Sequence, residues 1–106
     1  TGQEVVATLK ARVPENLKKG IIKMILFGSY ASGKQNENSD LDLAIIVSNK
    51  DEVIEKQLNE IAYSVMWDNN FKPIISLKIF SLAQYQNCLQ KGFSFYKNLE
   101  QNGILI

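Results

Sequence analysis

Apolar residues recur along this chain at two spacings, and the change from one to the other marks out its elements. Val5, Val6, Leu9 and Val13 stand at helical spacing, which predicts an amphipathic helix over about residues 3–13. Pro14 and Gly20 then frame a short basic connection around Lys18 and Lys19. Ile21–Phe27 is apolar except at Lys23 and stops at Gly28-Ser29, the pattern of a buried strand ended by a turn. Residues 33–39, GKQNENS, are all turn and loop formers, and Leu41–Val47 reads as a second strand. From Asp51 to Met66 the apolar positions are 54, 58, 61, 62, 65 and 66, as in a helix laid against a sheet, and Asn69-Asn70 breaks it. Ile74–Phe80 reads as a third strand. Ser81 is placed to cap a helix over about Leu82–Lys91, which Gly92 stops, and a last short helix covers about Phe95–Gln101 before Gly103. The predicted order is α-β-turn-β-α-β-α-α. It describes an α/β (α+β) fold, a small mixed sheet with helices packed on one face and the other face left available.

Composition narrows the function. At 106 residues, 45% hydrophobic and 22% charged, the chain is expected to form a single domain, residues 1–106, with a core of its own. A net charge of +1 provides no electrostatic footprint for an extended nucleic-acid surface or an anionic membrane, and the Lys18, Lys19, Lys23 cluster reads as a solvated edge. There is no histidine, which removes His-based general base catalysis, catalytic triads and most zinc sites. Cys88 is the one cysteine and has no internal disulfide partner, as expected in a reducing, cytoplasmic compartment. No apolar run approaches the roughly 20 residues of a membrane span, and no signal-peptide pattern opens the chain.

Chemistry concentrates in one segment: Gly28-Ser29-Tyr30-Ala31-Ser32-Gly33, five loop residues, then Ser39-Asp40-Leu41-Asp42-Leu43. Gly28 follows directly on a strand and lets backbone approach a ligand, while Ser29 offers a hydroxyl and an N–H suited to a phosphate. Asp40 and Asp42 are two apart at the mouth of a strand, so their carboxylates share a face about 6.6 Å apart along the backbone. Such a pair can hold a magnesium ion whose octahedron is completed by triphosphate oxygens and water. Taken alone, such a pair more readily describes two solvated residues at a strand edge. Gly28-x4-Gly33-Lys34 also copies most of a P-loop, but Gln35 stands where the metal-binding hydroxyl is needed, and a loop follows where a long helix is required.

At these residues the chain resembles the minimal nucleotidyltransferases (MNT-type) of the DNA polymerase beta superfamily, whose signature is GSxxxGxxxxxSDxDL. It stands complete here as Gly28, Ser29, Gly33, Ser39, Asp40, Asp42 and Leu43. The resemblance implies a nucleotidyltransferase-like fold. It also implies a magnesium-dependent enzyme (Mg2+ or Mn2+) that transfers a nucleotide, most simply AMP from ATP or another NTP, to a hydroxyl of a partner protein or small molecule. Gly28 and Ser29 would then hold nucleotide phosphates, and Asp40 and Asp42 would be the catalytic, metal-binding pair. Many such proteins act as antitoxins beside a helical HEPN-type partner, some by adenylylating it. The alternative is a catalytically weak or inactive module of the same fold that binds nucleotide or partner. One departure bears on this choice: the superfamily usually supplies a third carboxylate from a later strand, and 74–80 contains no Asp or Glu. Ser76 stands near that position, Lys78 shares its face by alternation, and Asp68 is the nearest acid. Tyr30, beside the phosphate turn, reads either as an anchor for the partner or as a ring packed within the fold.

Overall fold

The computed structural model describes residues 1–106. Helix α1 covers Gly2–Arg12, and its first turn is closed by a capping box between Thr1 and Glu4. The stretch after Pro14 is a single helical turn, α2 (Glu15–Lys18), and not an open connection. Strand β1 (Ile21–Phe27) leads through the one-turn helix α3 (Ser29–Ser32) into β2 (Leu41–Val47). Helix α4 (Glu52–Asp68) starts at Asp51, whose side chain accepts from the Ile54 N–H at 2.8 Å. It is followed by β3 (Ile75–Ser81), α5 (Leu82–Gln90) and α6 (Ser94–Asn102). Ser81 caps α5 as its position predicts, accepting from the Gln84 N–H at 3.1 Å. A two-residue strand, β4 (Ile104–Leu105), closes the chain and has no counterpart in the sequence reading.

The fold class is the mixed α+β one expected. Four strands lie in the order β3-β2-β1-β4; β2 pairs antiparallel with β1 and parallel with β3, and β1 pairs antiparallel with β4. Helices do not stay on one face, however. Val5 and Leu9 of α1 and Leu58, Ala62 and Val65 of α4 pack with Leu41, Leu43 and Ile45 on the first face. Tyr85 of α5 and Leu99 of α6 pack with Ile25, Ala44, Ile46 and Phe80 on the second. The reason lies in β2, which is apolar at every position from Leu43 to Val47 and fully buried there. A strand without polar alternation requires cover on both sides. Gly103 makes β4 possible: a side chain there would collide with Ile25 and the Leu99 carbonyl, where the chain leaves α6 and lies down along β1. No helix is long and apolar enough to cross a membrane.

Candidate active site

The β1–α3–β2 hairpin builds the site. In its register Phe27 stands opposite Asp42, so the signature glycine sits beside the second aspartate. Gly28 has φ 74° and ψ −152°, a conformation open essentially to glycine alone. A Cβ on Gly28 would overlap Oδ2 of Asp42, so glycine is required twice over, by backbone and by space. Its carbonyl accepts from the N–H groups of Ala31 and Ser32, both at 3.1 Å, which winds α3 and leaves Ser29 as its first residue. Gly33 ends α3 in the left-handed region with φ 76°. Ser39 closes the following loop, its hydroxyl accepting from the Asn36 N–H at 3.0 Å. With one helical turn followed by a loop, this is not a P-loop.

Asp40 is exposed just ahead of β2 and Asp42 is half-buried within it. Burial pushes the Asp42 carboxyl above its usual range, the negative charge of Asp40 adds to the rise, and the Lys78 ammonium opposes it. The two aspartates are thus close enough to repel, on the sheet face covered by α5 and α6. The parallel register sets Ser76 beside Asp42 and Lys78 beside Ala44, so both β3 residues share that face. Nowhere in the chain do three or more His, Cys, Asp or Glu side chains form a cluster able to hold a metal. Asp68 ends α4 on the other side of the sheet, bonded to the Arg12 guanidinium, and does not join the pair.

The structure decides between the two readings of Tyr30 and adds one feature that sequence reasoning missed. Tyr30 packs on the first face, its ring against Gly2 of α1, away from Asp42; it is part of the fold's packing and does not stand beside the carboxylates. On the second face an aromatic wall rises next to the aspartates. Phe27 meets Phe95 edge to face at 5.6 Å, and Phe80 contacts both Phe95 and Tyr96. Behind it the Tyr85 O–H donates to Oε1 of Glu100, which also accepts from Lys23 Nζ at 2.9 Å, tying α5 and α6 to β1. The only sequence signal for this wall was the aromatic run Phe93, Phe95, Tyr96 in a helix that lacked an assigned face.

Residues 6–106 match the sequence profile of the nucleotidyltransferase domain family. The chain belongs to that family. It is a nucleotidyltransferase, and its similarity to a Methanocaldococcus jannaschii protein named as a candidate protein adenylyltransferase is 38% identity over 78 residues, covering 71% of this chain and 79% of the relative. The fold also matches a toxin–antitoxin crystal structure with AMP-PNP, at a TM-score of 0.54 and 19% identity, over 99% of this chain and 71% of the other. A second such structure, of the toxin–antitoxin pair MntA–HpeT, carries a double mutant with two aspartates, two positions apart, changed to glutamate. It matches at a TM-score of 0.53 and 18% identity, over 99% of this chain and 71% of that one. At these identities the two structures speak for the fold of this nucleotidyltransferase.

Proposed function

We propose that residues 1–106 act as one nucleotidyltransferase domain that moves AMP from ATP to a hydroxyl on a partner protein, using Mg2+ or Mn2+. The observation that carries this reading is the seating of the Asp42 carboxylate against a glycine that no other residue could replace. It joins the candidate phosphate turn to the candidate metal ligands in one rigid hairpin. The donor set fits a hard cation: two carboxylates, one pushed toward neutrality by burial and by its neighbour's charge, a penalty that a bound cation would relieve. Asp40 and Asp42 would hold the ion, which when bound supplies charge neutralisation and a template for the phosphates. Gly28 leaves the backbone bare for a phosphate, and Ser29 offers its N–H and hydroxyl at the same turn. Phe27, opposite Asp42 in the strand register, packs edge to face on Phe95 beside the pair. The M. jannaschii relative supports adenylyl transfer, and the AMP-PNP structure supports a nucleoside triphosphate as donor. The spacing of the altered aspartates in the MntA–HpeT structure parallels Asp40 and Asp42.

The toxin–antitoxin neighbours support a protein partner, and we take it to be a helical HEPN-type toxin for which this chain is the antitoxin. A cytoplasmic location goes with that reading, since Cys88 is unpaired. One observation favours a second reading, a slow transferase that works mainly by binding its partner: no third carboxylate joins Asp40 and Asp42. The test uses ATP labelled in its α-phosphate, Mg2+ and the purified HEPN-type partner. Label is expected on the partner and is expected to fall on the order of 100-fold with Asp42→Asn, the loss of a few kcal/mol of charge stabilisation. Equal labelling by Asp42→Asn refutes the role of the pair. Tight partner binding without labelling favours the second reading.

A further inference from the structure

The sheet face that carries the aspartates bears two lysines on its strands, Lys23 on β1 and Lys78 on β3, and the structure treats them differently. Lys23 is engaged: its ammonium donates to Glu100 Oε1 at 2.9 Å and lies over the Tyr85 ring, 5.1 Å from the centroid. Lys78 is exposed, and none of the chain's ion pairs includes it. Parallel pairing places it two residues beyond Ser76, itself beside Asp42, so the ammonium stands on the Asp42 side of the sheet and not on the α4 side. Its charge reaches Asp42, opposing the rise in that carboxyl's pKa. The β3 flank of the site therefore presents a hydroxyl and an uncommitted cation and no carboxylate.

We propose that Lys78 is a nucleotide-binding residue that grips the triphosphate from the β3 side, giving the site a mode of nucleotide binding that needs no divalent ion. The proposal rests on the reading of the Asp40–Asp42 face as the nucleotide site and deepens it. A flank of carboxylates could engage phosphates only through bound metal, because like charges repel. An ammonium engages them directly, with three donors on a four-carbon stem that reaches across one strand spacing. Ser76, beside it, supplies a further donor to the same oxygens. Metal and lysine then act from opposite flanks, so binding weakens when the ion is removed but does not vanish.

Isothermal titration of the full chain with ATP, in EDTA and again with Mg2+, tests this. In EDTA the wild type is expected to bind ATP weakly but measurably. Lys78→Ala is expected to lose roughly 10- to 100-fold there, the range for hydrogen bonds to charged groups, and Lys78→Arg to recover most of it. Lys56→Ala, on the exposed side of α4 across the sheet, leaves the affinity unchanged. The loss persists on an Asp42→Asn background, since the lysine acts on phosphate and not through the carboxylate. Wild type that binds only with Mg2+, or Lys78→Ala that binds like wild type in EDTA, overturns the proposal while leaving the nucleotide site standing. A loss that vanishes with Asp42→Asn also overturns it. No ATP binding under either condition removes the site reading itself. Circular dichroism of Lys78→Ala is expected to match wild type, because the side chain is exposed.

Discussion

Gly28→Ala is the substitution that tests most of this structure at once. The backbone there sits at φ 74°, ψ −152°, and a residue with a Cβ held in that region costs about 1–3 kcal/mol. The added methyl would also overlap Asp42 Oδ2, and relieving such overpacking costs about 1–3 kcal/mol more. The total is on the order of 2–6 kcal/mol, and at about 4–8 °C per kcal/mol the Tm falls by at least about 8 °C. Gly33→Ala is the control: φ is 76°, yet nothing lies within 4 Å of its added Cβ, so only backbone strain of about 1–2 kcal/mol applies. Thermal unfolding followed by circular dichroism measures both. Repeating Gly28→Ala on an Asp42→Ala background isolates the overlap, and about 1–3 kcal/mol of the cost is expected to disappear. If Gly28→Ala lowers Tm no more than Gly33→Ala, or if the Asp42→Ala background recovers nothing, the seating of the carboxylate on the glycine is wrong. The union of phosphate turn and aspartate pair then fails with it.

Two further substitutions probe the rest of that face. Ser76→Asp places a carboxylate beside Asp42 in the parallel register; AMP transfer at saturating Mg2+ is expected to rise, by up to the roughly 10²–10⁴-fold that general base help supplies, and unchanged turnover refutes the register argument. Glu100→Gln tests the Tyr85–Glu100–Lys23 tie: hydrogen bonds from Tyr85 and then Lys23 hold the Glu100 carboxyl below its ordinary 4.5. A depressed folded pKa contributes stability that is present above the unfolded value and lost as pH falls through the folded one. Wild-type Tm should therefore drop below about pH 4.5 by a component that Glu100→Gln lacks, with the variant already lower at pH 7; parallel Tm profiles for the two proteins refute it.

The sequence by itself determined what is local. Alternation within Leu41–Val47 sets Asp42 on one side of the strand and Leu41 and Leu43 on the other, and the structure keeps that division. The breaks at Gly28, Asn69 and Gly103 and the cap at Ser81 mark element ends to within two residues or so, because they depend on backbone conformation and on partners three or four residues away. Layering was encoded too, in the unbroken apolar run of β2, but it describes burial on both sides without saying by which helices. Tertiary structure alone decided that α5 and α6 cover the second face, that Tyr30 packs under α1, and that Asp68 pairs with Arg12 away from the site. It also set Ser76 and Lys78 beside the aspartates, since a shift of β3 by one residue would have turned both to the opposite face. Periodicity is a property of one element and survives any packing. Register and layer are properties of pairs, fixed only when apolar faces far apart in the chain bury against each other.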